Sequence, residues 1–273
     1  MTSSRPPKAR SRELDADDAP IGRILSRREV LALLGGTGAV FLAACAPPAS
    51  VTASPTARAT GAATVGATAA PLAATAAVPS CVVRPALTEG PYFVDEKLNR
   101  SDIRSDPSDG TVRPGAQLTL TVNVSRVSGA SCLPLGGATV DVWHCDALGV
   151  YSDATDPGFN TKGKKFLRGY QTTDANGKVQ FTTIYPGWYQ GRAVHIHFKI
   201  RTTNPSSEFT SQLFFDDAVS DQVFAEAPYS QKTGQRLKNT GDGIFNDSGG
   251  KLTLQVARTG SAYAATFDIG LAS

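Results

Sequence analysis

Residues 181–200, FTTIYPGWYQGRAVHIHFKI, restrict the fold more than any other stretch of this chain. Val194, Ile196, Phe198 and Ile200 alternate with two of the chain's three histidines, His195 and His197. A period of two with apolar, β-branched and aromatic residues on one side is the pattern of a buried β-strand. Residues i and i+2 of a strand point to the same face, so both imidazoles leave one rigid element on one side, about 6–7 Å apart along the backbone. That spacing suits two ligands of one metal. The competing reading is two half-buried histidines with no metal, and a short motif alone does not exclude it.

Neighbouring stretches favour the metal. Pro186-Gly187 is a turn signal that delivers Trp188, Tyr189 and Arg192 near the same place. Upstream, residues 140–151 (VDVWHCDALGVY) read as a strand, a polar corner at Gly149 and a second tyrosine, Tyr151. A phenol titrates near pH 10, so it ligates at neutral pH only to a strong Lewis acid that displaces its proton. Zinc prefers Cys, His and carboxylate ligands, and the ferrous oxygenases take two His and one carboxylate. Two histidines with two tyrosines therefore favour Fe(III).

These motifs together resemble the intradiol ring-cleavage dioxygenases, the family of the catechol and protocatechuate dioxygenases. The matching pieces are residues 88–104 (TEGPYFVDEKLNRSDIR), 141–153 (DVWHCDALGVYSD), 166–189, 191–200 (GRAVHIHFKI) and 211–215 (SQLFF), and the likeness runs from about residue 81 onward. The resemblance implies a non-haem Fe(III) held by Tyr151, Tyr189, His195 and His197, with Tyr151 the ligand that substrate displaces. It implies O2-dependent cleavage of a catechol between its two hydroxyls to a cis,cis-muconate-type product, with no flavin, nicotinamide or haem. Arg192 would face the ring carbon that gains negative charge, a task suited to a fixed guanidinium. Tyr92, Trp188 and Gln212 would line the substrate pocket; each could instead simply pack. Trp143 and His144 read as structural, with a supporting contact to the site open for His144. The connection between Tyr189 and Arg192 is shorter than in the protocatechuate enzymes, which implies a more open pocket. Two rival classes remain: a non-catalytic transthyretin-like envelope binding module, and a copper or zinc enzyme on the His pair, which leaves the tyrosines unexplained.

The remainder of the chain concerns delivery. Residues 1–22 are polar and charged. Ser26-Arg27-Arg28 precedes a short apolar run, residues 30–44, too short for a membrane span. This reads as a twin-arginine-type export signal. It ends Leu42-Ala43-Ala44-Cys45, which resembles a lipobox with Cys45 lipidated; ordinary signal cleavage is the alternative. Multiple acylation would anchor the protein to a membrane. Residues 46–80 are a low-complexity Ala/Thr/Pro tether. The catalytic domain is expected over residues 81–273. Net charge is only +3, with no basic footprint for nucleic acid.

Many short strands with turn punctuation predict an all-β antiparallel sandwich, transthyretin-like, with short helices and long loops. Strands are expected over residues 118–127, 138–144, 212–215, 252–257 and 263–269, and a short helix over 218–225. Asn176-Gly177 predicts a hairpin joining 166–171 to 178–184. Cys132 precedes a strand and Cys145 ends it, too far apart to bridge when extended. Cys81 is therefore expected to pair with one of them, Cys132 preferred; three reduced, buried thiols are the alternative.

Overall fold

The computed structural model describes residues 83–128, 131–203 and 208–272. The export signal, Cys45, the tether and Cys81 lie outside the described residues.

Two five-stranded sheets face each other. In the first, β1 (Gln117–Ser128) is central. One edge of β1 runs parallel to β12 (Ala262–Ala272), which continues to β11 (Val256–Thr259). Its other edge pairs with β7 (Lys178–Ile184) and then with β2 (Ser131–Pro134). The second sheet runs β10-β9-β8-β3-β6, with β3 Thr139–Trp143, β6 Arg168–Thr172, β8 His195–Arg201, β9 Glu208–Phe215 and β10 Thr253–Leu254. The short ribbon of β4 (Thr155–Asp156) and β5 (Phe159–Asn160) stands apart.

Alternation decides which face is buried. Leu118, Leu120, Val122 and Val124 of β1 are all buried. From the facing sheet Ile196, Phe198 and Ile200 are buried, and the Phe198 ring meets Phe267 of β12 edge-on at 5.4 Å. Each such side chain contributes about 1.5–3 kcal/mol on burial. Because the even-numbered positions of β8 fill the interlayer core, His195 and His197 emerge on the outer face of the second sheet. There loops cover them.

The sandwich expected from sequence is present, with two parallel pairs, β1–β12 and β9–β10, among the antiparallel ones. Two local expectations are corrected. Residues 174–177 do form a closed turn, with Gly177 N donating to Asp174 O at 2.9 Å. The flanking strands do not form a hairpin: β6 pairs with β3 and β7 with β1, so the turn crosses from one sheet to the other. Val179 and Phe181 are drawn across because they complete the inner face of the first sheet beside β1. The single strand expected over 252–257 likewise splits at Gln255, with β10 in one sheet and β11 in the other. The expected helix is α1 (Asp217–Phe224), capped by Asp216, whose carboxylate accepts from Ala218 N and Val219 N. A second short helix, α2 (Gly243–Asp247), is capped by Asp242. Cys132 is disulfide-bonded and Cys145 is a free, buried thiol.

Candidate active site

The two histidines of β8 meet a tyrosine from the loop after β3. His195 Nδ1 donates to its own neighbour's carbonyl, Ala193 O, at 2.7 Å, which leaves Nε2 as a bare lone pair. Two groups crowd that lone pair: the Tyr151 hydroxyl at 3.1 Å and His197 Nε2 at 3.0 Å. All three side chains are buried. Burial, with the Arg192 charge adding to it, pushes the His195 imidazole down to about 3. Burial and then His195 push His197 well below its usual value. Both rings are therefore neutral at physiological pH, with nitrogen lone pairs available. Burial raises the Tyr151 phenol well above its ordinary value, so it ionises only with a cation beside it.

The surrounding chain fixes these groups. Trp143 pairs in register with His197 across β3 and β8, and its indole stacks on the imidazole at 5.0 Å and 7°. Gly90 packs against the Cε1 edge of the same ring. A Cβ there would lie 3.1 Å from His197 Cε1, and φ of +75° is a conformation glycine adopts without strain. Arg168 of β6 reaches the tyrosine loop: its Nε donates to Ser152 Oγ at 2.7 Å, and Nη2 donates to Ser152 O. Its Nη1 donates to Tyr92 O at 3.2 Å.

Tyr189 and Tyr92 form the more exposed side. The Tyr189 ring stands edge-on to Tyr151 at 5.7 Å, and the Tyr92 ring lies 4.8 Å from Tyr151. Both phenols donate to Asp156 Oδ2 at 2.6 Å, and their oxygens are 2.9 Å apart. The Tyr189 oxygen is thus engaged by Asp156 and Tyr92, while Tyr151 is the phenol touching the imidazoles. Burial, followed by the Asp156 carboxylate, raises the Tyr189 phenol.

Arg192 stands at the rim in a fixed pose. Its Nε donates to Asp242 Oδ2 at 2.9 Å and its Nη2 to Gln212 Oε1 at 2.6 Å. Gln212 is buried opposite His197 in β9, and its Nε2 donates to Thr88 O at 2.9 Å. Gln212 therefore holds Arg192 and the 88–92 turn in place. Trp188 packs elsewhere: its ring lies 4.1 Å under Lys232 Nζ and against Gly234. His144 faces the interior, where its Nε2 is 2.6 Å from Thr183 Oγ1, and makes no bond to the cluster.

The donor set fits a hard cation. Among the described residues no three His, Cys, Asp or Glu side chains gather as a metal site. The protein oxygen already in contact with the pair is the Tyr151 phenol, so a metal on His195 and His197 would find a phenolic ligand there. That disfavours zinc and the two-His-one-carboxylate pattern. Three residues absent from the sequence reading belong to this assembly: Asp156, Asp242 and Arg168. Only Asp242 carries a local signal, as an Asp ahead of a short apolar turn, the sign of a helix cap.

Comparison with known proteins places the chain in a family. A profile of the dioxygenase family matches residues 88–259, which includes every residue named around the cluster. Catechol 1,2-dioxygenase 2 of Acinetobacter lwoffii is 36% identical over 134 residues, which is 42% of this chain and 45% of that protein. The protocatechuate 3,4-dioxygenase beta chain of Burkholderia cepacia is 28% identical over 190 residues, 66% of this chain and 76% of that one. This chain spans about half the length of the first relative, 45%. Among solved structures, an intradiol ring-cleavage dioxygenase from Tetranychus urticae superposes with a TM-score of 0.60 at 33% identity, covering 70% of this chain and 94% of that one.

Proposed function

This chain belongs to the intradiol ring-cleavage dioxygenase family, and from that premise we propose that it cleaves catechol-type aromatics between their two hydroxyl-bearing carbons, using O2 and a non-haem ferric ion. Tyr151, Tyr189, His195 and His197 would hold the ion. The observation that carries this reading is the convergence of two neutral, buried imidazoles and the Tyr151 phenol on one point, with nitrogen–nitrogen and nitrogen–oxygen distances of 3.0 and 3.1 Å. Ferric iron, when bound, supplies a Lewis acid strong enough to ionise the phenols, to chelate both hydroxyls of a catechol and to activate its ring toward O2.

The protein's own contribution is positioning and charge. Trp143 stacks on the His197 ring and Gly90 abuts its Cε1 edge, and the Ala193 carbonyl fixes the His195 tautomer, so both nitrogens are aimed before any ligand arrives. Tyr151, the phenol in contact with the imidazoles, would serve as the residue that takes up a proton from a substrate hydroxyl. Its high proton affinity in this buried setting favours that transfer. Arg192 cannot swing away, because Asp242 and Gln212 hold two of its nitrogens. A guanidinium fixed at the rim stabilises negative charge developing on the ring. A short link between Tyr189 and Arg192 would leave the pocket more open, so several substituted catechols should be accepted. Substituent differences then change binding by only about 1–3 kcal/mol.

Iron analysis with a visible spectrum tests the ligand set. The wild-type protein should bind iron and show a broad visible tyrosinate charge-transfer band. Tyr189→Phe should change that band and remove most activity; an unchanged band and iron content would refute Tyr189 as a ligand. Delivery outside the cytoplasm through Arg27-Arg28, with Cys45 lipidated, is part of the same proposal. Cys45→Ser should release the protein from membranes or stall its processing, and membrane retention after correct processing would refute lipidation.

A further inference from the structure

We propose that Lys232 is a positioning residue for the metal centre: it joins the two loops that carry Tyr151 and Tyr189 and so sets the spacing of the two phenols. The inference rests on the ring-cleavage reading above, in which both phenols are ligands, and adds to it a residue that touches neither.

The two loops press backbone against backbone. Gly187 N donates to Asp146 O at 3.1 Å, and Cys145 Sγ donates to Gly187 O at 3.4 Å. A Cβ on Gly187 would lie 2.5 Å from both Asp146 O and Ala147 O, a distance that folded chains do not show. A Cβ on Gly149, where φ is +83°, would collide with Trp188 O and with Lys232 Nζ. Two glycines therefore let the loops meet. Lys232 closes the seam they form. Its Nζ donates to Leu148 O and to Trp188 O, each at 2.7 Å, one carbonyl from each loop. The same ammonium lies 4.1 Å from the centre of the Trp188 ring, a cation–π contact. Both acceptors are main-chain carbonyls, so these bonds are the same whether the phenols are protonated, ionised or bound to a metal.

The base of the lysine is itself held. Lys232 follows one turn of 3-10 helix, Tyr229–Gln231, and its N donates to Tyr229 O at 3.1 Å. Tyr229 is buried; its hydroxyl donates to Tyr185 O at 2.6 Å and accepts from Ala116 N at 3.0 Å. One short segment thus grips the Tyr189 loop twice, at Tyr185 through Tyr229 and at Trp188 through Lys232, and Lys232 grips the Tyr151 loop as well. Without the ammonium, Leu148 O and Trp188 O lose the donor they share, and two carbonyl dipoles are left side by side at the seam. Tyr189 directly follows Trp188, and Tyr151 lies three residues beyond Leu148. A shift at the seam is therefore passed to both phenols. Groups that support metal ligands in this way change metal affinity or activity by about 10–100-fold when removed.

The test compares wild type with Lys232→Met, which keeps an apolar stem over Trp188 and removes the ammonium. Both proteins are loaded with ferric iron. The visible tyrosinate band, the iron affinity against a competing chelator and the steady-state turnover of catechol are recorded at a temperature where both are folded. The Met variant should show a displaced band and an iron affinity lower by about 10–100-fold. Its kcat should fall by about ten-fold or more with KM within about two-fold, because the defect lies in ligand geometry and not in substrate contacts. Lys232→Gln, which keeps a neutral N–H donor on a shorter stem, should change the band and the iron affinity in the same direction if the Met variant does not fold. A wild-type band and iron affinity in the folded Met or Gln variant, whatever its loss of thermal stability, would overturn the proposal and leave ring cleavage intact. Iron-loaded wild type without a tyrosinate band would overturn the ligand set of the ring-cleavage reading, and this proposal with it.

Discussion

Asp242 carries three duties at once, and two substitutions separate them. Its carboxylate is buried and accepts from Arg192 Nε at 2.9 Å, from Ala193 N at 2.7 Å, and from Ile244 N at 2.8 Å as the cap of α2. Its position is held charged because Arg192 and the Ala193 amide outweigh the cost of burial. Asp242→Asn keeps a capping oxygen and loses the charge on a pair that is partly open to water, so it should cost about 1–2 kcal/mol. Asp242→Ala removes everything. A lost cap costs about 1 kcal/mol, a buried amide left without an acceptor about 1–3 kcal/mol, and the stranded guanidinium adds to both. A total of about 3–4 kcal/mol follows, within the range for breaking a buried pair. Urea denaturation of the purified protein reads this directly. For a domain of this size each kcal/mol lowers Tm by about 2–4 °C, so the Ala variant should melt about 6–16 °C below wild type. In both variants Arg192 loses one of its two anchors, with Gln212 remaining, so kcat should fall more than KM rises. An Ala variant no less stable than the Asn variant, or wild-type kcat in either, would refute the argument that Asp242 sets Arg192.

Two further outcomes follow from the same geometry. Burial holds the His144 imidazole down to about 4, against about 6.5 unfolded. The unfolded chain then binds the extra proton between those values, so folding loses stability as pH falls through that window, by about 2–3 kcal/mol at pH 4.5 from this group; His144→Gln should remove that share of the slope between pH 7 and 4.5 and leave the share of His195 and His197, and an unchanged slope would refute it. Gly90→Ala places a Cβ 3.1 Å from His197 Cε1 at φ +75°, so it should cost about 1–2 kcal/mol and reduce iron retention against a chelator, whereas wild-type retention would show that the close contact with His197 is dispensable.

How much of this was legible in the sequence follows from how local each signal is. The His strand was readable because Val194, Ile196, Phe198 and Ile200 alternate with polar positions, and alternation alone fixes which face each imidazole takes. The sandwich was readable for the same reason in β1 and β12. The Asn176-Gly177 turn misled because its dipeptide specifies a reversal but not which sheet each arm joins; that choice depends on the β1 edge, more than fifty residues away in the chain. The split at Gln255 fails for the same cause. Asp156, Asp242 and Arg168 were invisible because each acts through a partner distant in sequence: Tyr92, Arg192 and Ser152. Tyr92 and Gln212, read as lining the pocket, do lie beside the cluster, whereas the described contacts of Trp188 are with Lys232 and Gly234.

The most direct test of intradiol cleavage is product identity. Iron-loaded protein is mixed with catechol in air-saturated buffer, oxygen uptake is followed, and the product is identified by its ultraviolet spectrum and mass. The proposed function predicts one O2 consumed per catechol and a cis,cis-muconate product, with both lost when iron is removed and restored when it is returned. A semialdehyde product, or turnover indifferent to iron, would contradict it.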